Sequence, residues 1–444
     1  MNDELSGTVV SGSRLLERLF LLFLIISQIY YAFRYALQYN STTTSPTYSN
    51  TPFAFQFGKY AIAILIFAVS SVALGAARGR SHSVNRKTLY ILVFLSGFAC
   101  YSIALGVTFT HGSLHSIGRV SIFHEFFYFP LLLLLPFHFN GWQSLRKYFR
   151  ILIVFGCTYH IIYSAIQVAA FVLYRRLPAL GYPGGLVRFG GGWDDPNGFG
   201  AYLVLPILFL LSDAFFSKKI RFLLTPALFA LLALTVSLSA AAAMIGALLC
   251  YTVLKRKWVL LIITASLLAT LLSIPLVHEL LLFAYQHKKQ SMDAHLDTMS
   301  LTGYLLHATP LEFLFGRHTG SISQNESYYY ATTVNYGVVA LIWFLTIVGL
   351  TIWNAIVKSN SCQSSGDYQA AELFRILASF IAALSVTSLG IAYYYSFPVG
   401  FYLWFAIFVV WLADGRIPPH KTYISKSETV TGRTGTSPDT CLSP

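Results

Sequence analysis

The stretch NGFGAYLVLPILFLLSDAFF, residues 197–216, decides the fold class, because Asp213 is its single charged side chain and most of the other residues are apolar. About 20 such residues cross the hydrocarbon core of a bilayer as a helix. The whole 444-residue chain shares this character, with 56% hydrophobic and 11% charged residues. A soluble globular protein carries about 25% charged residues. The composition therefore excludes a water-soluble protein and predicts a polytopic membrane protein.

Apolar blocks of this kind recur along the chain and predict an all-α membrane protein with about 12 transmembrane helices. The first is expected to be a retained signal anchor. A tight turn near Ser237–Ser239 is expected to separate the seventh helix from the eighth. We place the helices near residues 19–38, 60–77, 88–107, 120–138, 151–173, 197–216, 222–238, 239–254, 258–277, 333–353, 376–394 and 399–413.

The basic residues predict how these helices are oriented. The chain has 30 Lys and Arg against 17 Asp and Glu, and most of the basic residues flank the apolar blocks on one side. Under the positive-inside rule that side is cytoplasmic, and so are both termini. Topology thus explains the positive charge, which gives no indication of nucleic-acid binding. Residues 1–413 form one transmembrane domain in this interpretation, and the Ser-, Thr- and Pro-rich residues 414–444 form a disordered cytoplasmic tail.

Two outer connections carry basic residues against this rule and are candidates for function. They are a smaller outer loop, residues 174–196, and a large periplasmic loop, residues 278–332. A connection as long as the second is usually functional or disordered, and its short apolar stretches indicate that it is partly folded. The spacing of its histidines fits no metal motif, and the five cysteines of the chain form no CxxC pair. No metal and no cofactor are therefore predicted.

The first candidate site is the segment RFGGGWDDPNGFG, residues 188–200. Asp195 followed by Pro196 is typical of an N-cap and a first helical residue. The free N–H groups of that helix start, the adjacent glycines and the Arg188 guanidinium would together bind a phosphate or pyrophosphate. The alternative is an ordinary capped helix after a glycine-rich turn, because capping and turn preferences explain each part separately.

The second candidate site closes the large outer loop with LFGRH at 314–318, QNESYYY at 324–330 and NYG at 335–337. Arg317 is suited to hold an anion, and Glu326 or His318 is suited to accept a proton from a hydroxyl group. The tyrosines offer flat, amphipathic faces of the kind that stack on sugar rings. The alternative is an interfacial aromatic belt with incidental polar residues.

Other function classes find less support in the sequence. The predicted helices contain almost no ionisable group at mid-depth, whereas ion-coupled transporters usually need such groups within the membrane. The two halves of the chain do not repeat visibly, and the chain contains no Walker loop, kinase motif set or GxSxG elbow. A small-anion transporter with the outer basic residues at its entrance, and a non-catalytic scaffold of a polysaccharide export complex, stay open as alternatives.

Four segments, in order, resemble motifs of the O-antigen ligase and polymerase superfamily. The motif similarity covers about residues 180–350, and the predicted topology is similar over the whole chain. Three departures matter: Leu238 stands where the family's small-residue turn has an arginine, Met299-Ser-Leu-Thr302 lacks the arginine of the family's large loop, and Gln324-Asn325-Glu326 replaces a histidine of the ligases, which favours a polymerase. The segments are Arg188 with Asp195-Pro-Asn197, Thr235-Val-Ser-Leu-Ser239, Leu314-Phe-Gly316, and Asn325-Glu-Ser through Asn335-Tyr-Gly337.

The resemblance implies a metal-independent glycosyltransferase of the bacterial inner membrane. Its members polymerise polyprenyl-pyrophosphate-linked repeat units of O-antigen, capsule or exopolysaccharide on the periplasmic face. An O-antigen ligase that transfers a finished glycan to lipid A-core or protein is the close variant. The implied partners are the lipid-linked glycan donor, a glycan or lipid acceptor, the bilayer, and chain-length regulator and flippase proteins.

The resemblance also implies roles for individual residues. Arg188 corresponds to the family's pyrophosphate-binding arginine and counts as catalytic. Glu326 is the candidate general base, and His318 is next. The remaining expected substrate-binding residues are Asp195, Asn197, Arg317, Asn325, Tyr328, Arg175, Arg176 and Lys288.

Overall fold

A computed structural model describes the chain over residues 142–174, 188–193, 195–257, 308–316, 327–391, 393–394 and 399–412. It also describes a few single residues, among them Gln28. These residues form eight helices, and no strand occurs among them. The helices are α1 Trp142–Tyr174, α2 Pro196–Leu211, α3 Lys218–Leu234, α4 Leu238–Leu254, α5 Pro310–Phe315, α6 Tyr328–Ser364, α7 Tyr368–Thr387 and α8 Val399–Leu412.

Three of these helices are long and apolar enough to cross a membrane: Phe149–Leu173 within α1, all of α6 and all of α7. The helices α2, α4 and α8 are equally apolar but shorter. The prediction of an all-helical protein is therefore confirmed for the described part, which has three helices able to cross a membrane, while the number of about 12 transmembrane helices and their orientation stay predictions. Apart from single residues such as Gln28, the first four predicted helices, the ninth, most of the large outer loop and the tail 414–444 lie outside the described residues.

Several helix boundaries differ from the hydropathy blocks. The predicted turn near Ser237–Ser239 lies at Thr235–Ser237, where Ser237 caps α4. The block 376–394 corresponds to α7, which begins earlier, at Tyr368, after the capping residue Asp367. Hydropathy places charged residues outside a membrane helix, but Glu372 and Arg375 lie inside α7 because they pair with each other.

The tenth predicted helix also starts earlier than its apolar block. α6 begins at Tyr328, where the Ser327 side chain caps it, and Gly337 interrupts it with φ 83° and ψ 172°. An L-residue with a side chain rarely adopts that conformation. The chain therefore forms one helix before Gly337 and a long apolar helix after it, with a kink between them.

The helix α7 lies at the centre of the bundle, packed against α2, α4, α6 and α8. Small side chains let α2 approach α4 closely: a Cβ atom on Gly200 would lie 2.5 Å from the Cβ of Ala240. Ala240, Ala243 and Ala247 recur on the buried face of α4. Membrane helices commonly associate in this way. In lipid there is no hydrophobic driving force between helices, so close van der Waals packing holds them together.

Charged groups join the helices at the end of the bundle where α2 and α4 finish. The carboxylate of Glu372 is fully buried and pairs with Lys255 at 2.9 Å and with Arg375 at 2.7 Å. It also accepts hydrogen bonds from the hydroxyls of Tyr251, at 2.6 Å, and Ser212, at 3.0 Å. We call these five residues the Glu372 network. It joins α2, α4 and α7 at the end opposite the start of α2.

Candidate functional site

Arg188 lies at the other end of the bundle, beside the start of α2 and the turn between α3 and α4. Its side chain is buried, and Nε donates to the Thr235 carbonyl at 2.8 Å. Nη2 donates to Asn197 Oδ1 at 2.6 Å, and the same oxygen accepts from Ser237 Oγ at 2.8 Å. The first and second of the four motifs therefore meet at one guanidinium group.

The hydroxyl groups beside Arg188 continue into a chain. Ser237 Oγ and Ser239 Oγ lie 3.1 Å apart, and Tyr393 donates from its hydroxyl to Ser239 at 2.9 Å. We call Arg188, Asn197, Ser237, Ser239 and Tyr393 the Arg188 cluster. It holds one permanent cation among amide and hydroxyl groups, an environment suited to an anionic group.

Asp195 caps α2 as predicted. Its two carboxylate oxygens accept hydrogen bonds from the backbone N–H groups of Asn197 and Gly198, each at 2.9 Å. Burial raises the pKa of Asp195 above its ordinary value, while these two amides and the charge of Arg188 act in the opposite direction. The Asp195 side chain thus already occupies two of the free N–H groups at the helix start. The cap therefore removes these N–H groups from the predicted phosphate site. The Arg188 guanidinium does not take part in the cap and stays a candidate for binding phosphate.

The glycine turn before α2 is packed under aromatic rings. Gly191 and Gly192 have φ angles of 58° and 93°. A Cβ atom on Gly191 would lie 2.1 Å from the ring of Phe199, and one on Gly192 would lie 2.7 Å from the Tyr159 hydroxyl. Both positions require glycine for conformation and for space. The turn therefore fixes the segment from Arg188 to Trp193 rather than offering an open loop.

A buried polar chain under this turn was not predicted from the sequence. His160 Nδ1 lies 2.5 Å from the carbonyl oxygen of Gly191, and its Nε2 lies 2.7 Å from the Gln28 amide. The Gln28 amide also hydrogen-bonds to the Tyr402 hydroxyl. With the Gln28 amide turned so that its nitrogen faces His160, a neutral imidazole satisfies every contact, donating to Gly191 and accepting from Gln28.

The third and fourth motifs also meet, where α5 packs against the kink of α6. A Cβ atom on Gly316 would lie 2.3 Å from the carbonyl oxygen of Asn335, and one on Gly337 would lie 2.0 Å from that of Leu314. Both glycines have positive φ angles. Side chains at these positions would separate the two backbones. The two glycine motifs are therefore the two halves of one backbone contact.

Two adjacent tyrosines after α7 connect the motif pairs. Tyr393 belongs to the Arg188 cluster, and the ring of Tyr394 lies 4.8 Å from the ring of Tyr328 at the start of α6. The N–H of Tyr328 donates to the Ser388 carbonyl at 3.0 Å. The described parts of all four motifs thus lie around one end of the bundle. The run of tyrosines at 393–395 is the sequence signal that could have indicated this connection.

The predicted site residues fall into three groups. Arg188, Asp195 and Asn197 lie together, as described above. Tyr328 has a buried ring in the aromatic core against Phe344 and Tyr394, so its contact with a substrate stays a prediction. The others lie outside the described residues: Glu326, His318, Arg317, Asn325, Arg175, Arg176 and Lys288.

Within the described ranges, no three His, Cys, Asp or Glu side chains come close enough to hold a metal ion. Comparisons of the chain with protein-family models, with curated proteins and with solved structures find no match in any of the three.

Proposed function

We propose that this protein is a membrane glycosyltransferase that polymerises polyprenyl-pyrophosphate-linked oligosaccharide repeat units at the outer face of a bacterial inner membrane. The observation that carries this proposal is the Arg188 cluster, in which a buried guanidinium joins the first two motifs. The second pair of motifs lies at the same end of the bundle, connected through Tyr393 and Tyr394. A site for a bulky lipid-linked substrate needs residues from several helices at one end of the bundle.

The chemistry requires a positive charge where the leaving group departs. In each transfer, the bond between the anomeric carbon and the pyrophosphate oxygen breaks while the acceptor oxygen bonds to that carbon from the opposite side. The acceptor hydroxyl gives its proton to a base, for which Glu326 is our candidate and His318 the next. The pyrophosphate leaves with the bonding electron pair, and Arg188 stabilises the charge that develops on it.

The hydrogen bonds of Arg188 suit this role. Thr235 and Asn197 hold the guanidinium in one orientation, so it does not have to reorganise during the reaction, and preorganised charge is what stabilises a transition state. A charge-assisted hydrogen bond contributes about 1.5–3 kcal/mol. Because Asp195 offsets part of the positive charge nearby, further cations are needed, and Arg317, Lys288, Arg175 and Arg176 are the candidates.

The direct test is reconstitution of the purified protein in liposomes with the lipid-linked repeat unit of its source organism, followed by gel separation of the glycans. A ladder of products, with release of polyprenyl pyrophosphate, is expected without any added nucleotide sugar or metal. In a parallel reaction, lipid A-core is added as an acceptor. Transfer to lipid A-core without a ladder would identify a ligase instead. Donor that stays unchanged in both reactions would contradict the proposal and favour the transporter alternative.

A further inference from the structure

One face of α1 carries buried polar groups that find no hydrogen-bond partner among the residues that the structure describes. Ser164 and Gln167 are 1% and 2% exposed. Within this part of the chain, Ser164 Oγ, Gln167 Oε1 and the buried hydroxyl of Tyr159 are all unpaired. Inside a membrane protein water does not readily compensate such groups. Most buried polar atoms in proteins are paired, so an unpaired set in one place requires an explanation.

These groups face the segment from Arg188 to Trp193. His160, Ser164, Gln167 and Phe171 are spaced by four, three and four residues and therefore share one stripe of the helix. At one end of the stripe, His160 contacts the Gly191 carbonyl. At the other end, the ring of Phe171 lies 6.4 Å from the ring of Phe189, the neighbour of Arg188. Ser164 and Gln167 lie between these two contacts.

The chemistry of the unpaired groups indicates what binds them. The unpaired atoms are a serine hydroxyl, which can donate and accept, and a glutamine carbonyl oxygen, which can only accept. A sugar hydroxyl also donates and accepts, and so satisfies either group. Phosphate oxygens at neutral pH only accept hydrogen bonds and would leave the Gln167 carbonyl oxygen unpaired. The stripe therefore fits the carbohydrate part of a lipid-linked glycan rather than its pyrophosphate.

We propose that Ser164 and Gln167 bind hydroxyl groups of the first sugars of the donor, next to the pyrophosphate site at Arg188. This inference rests on the proposed function. It gives α1 a role in selecting the glycan, while the Arg188 cluster holds the pyrophosphate common to all such donors.

The test separates a structural role of Ser164 and Gln167 from a binding role. A structural role predicts a lower melting temperature on substitution, whereas a binding role predicts weaker glycan binding without a loss of stability. In Gln167→Leu and Ser164→Ala an unpaired polar group is replaced by an apolar one, so the melting temperature of the purified protein should stay equal or rise. The matched control is Ser359→Ala, which removes a buried serine whose hydroxyl donates to the Ala371 carbonyl at 3.1 Å. It should lower the melting temperature and leave glycan binding unchanged.

Binding is measured with two probes, bare undecaprenyl pyrophosphate and the same lipid carrying the organism's repeat unit. Each variant should weaken binding of the glycan-bearing lipid by about 3- to 10-fold, the value of one hydrogen bond. Binding of the bare lipid should not change. Unchanged affinity for the glycan-bearing lipid in both variants, or a loss of stability in both, would overturn this inference alone. If the wild-type protein binds neither lipid, the proposed function fails as well.

Discussion

Arg188 owes its position to residues that are distant in sequence. Its guanidinium hydrogen-bonds to Thr235 and Asn197, and its neighbour Phe189 donates a backbone hydrogen bond to Leu234 at 3.1 Å. An arginine buried in this way is held in one orientation, because its Nε and Nη2 atoms both donate to oxygen acceptors. At the scale of the residue, the site depends on the backbone that brings these acceptors together.

The glycine turn supplies that backbone, and Gly191→Ala tests it. A methyl group at this position would overlap the ring of Phe199, and φ is 58°. We expect a loss of roughly 1–3 kcal/mol in the free energy of unfolding, because alanine is strained in this conformation and the ring must move. Polymer synthesis should fall too, since Arg188 precedes this turn. The measurement is thermal unfolding of the purified protein, together with product formation.

Gly349→Ala is the control, since a Cβ atom there would meet nothing within 4 Å. Gly349 lies within the helix α6, so alanine should be neutral or stabilise the protein by up to about 1 kcal/mol. Equal melting temperatures for the two variants would contradict the tight packing of the turn.

At the scale of the element, α7 is held by charge at its beginning and by tyrosines beyond its end. The Glu372 carboxylate pairs with two cations and accepts hydrogen bonds from two hydroxyl groups. These four partners belong to α2, α4 and α7 or to the residues that cap them. Glu372→Gln removes the negative charge, so that Arg375 loses its carboxylate partner and Lys255 keeps only the more distant pairing with Asp213, at 3.8 Å. We expect a loss of about 3–5 kcal/mol, as is found when one partner of a buried ion pair is removed.

The measurement is thermal unfolding in detergent, and Ser379→Ala is the control on the same helix, because it removes a buried hydroxyl that donates to the Arg375 carbonyl at 2.8 Å and changes no charge. A Glu372→Gln variant no less stable than Ser379→Ala would show that the Glu372 network does not hold α2, α4 and α7 together.

The loop between α2 and α3 adds a contact that depends on pH. The Tyr368 hydroxyl donates to Asp213 at 2.6 Å, and this hydrogen bond is the main cause that lowers the pKa of Asp213 below its ordinary value. A lowered pKa in the folded state contributes stability above the unfolded pKa, which is about 3.9, and this contribution is lost as the pH falls through the folded value.

Tyr368→Phe removes this hydrogen bond and keeps the ring. The variant should therefore melt at a lower temperature than the wild type at pH 7, and the difference should shrink on acidification to about pH 3. A difference of the same size at both pH values would contradict the assignment.

The sequence predicted the elements better than their contacts. The 20-residue apolar blocks gave the helical class, and the Asp195-Pro196 pair gave the start of α2, because both signals are local. The early start of α7 was missed because the first turns of this helix contain the charged Glu372. Its partner Lys255 lies at the end of α4, far away in the sequence. His160 and Gln28 were missed for the same reason: each lies in an apolar block beside other scattered polar residues, and only the fold shows that the two side chains meet.

At the scale of the whole molecule, the described helices have two differently built ends. One end carries the Glu372 network, in which one buried carboxylate pairs with two cations. The other carries the Arg188 cluster, the glycine contact between α5 and α6, and the tyrosines that join them. We infer that the first end stabilises the bundle and that the second acts on the lipid-linked substrate.

This division gives the two ends different responses to substitution. Variants in the Glu372 network should lower stability and leave the residual folded protein active. Variants in the Arg188 cluster should reduce the reaction more than the stability, since binding groups contribute to the transition state.

The most direct test of the central claim compares two arginines in the reconstituted reaction. Arg188→Gln is expected to abolish the glycan ladder, because glutamine keeps hydrogen-bonding capacity but carries no charge to stabilise the departing pyrophosphate. Arg221→Gln is the matched control, since Arg221 lies in the first turn of α3, away from the Arg188 cluster. The account predicts a ladder from the wild type and from Arg221→Gln, and none from a folded Arg188→Gln protein. A normal ladder from Arg188→Gln would contradict it.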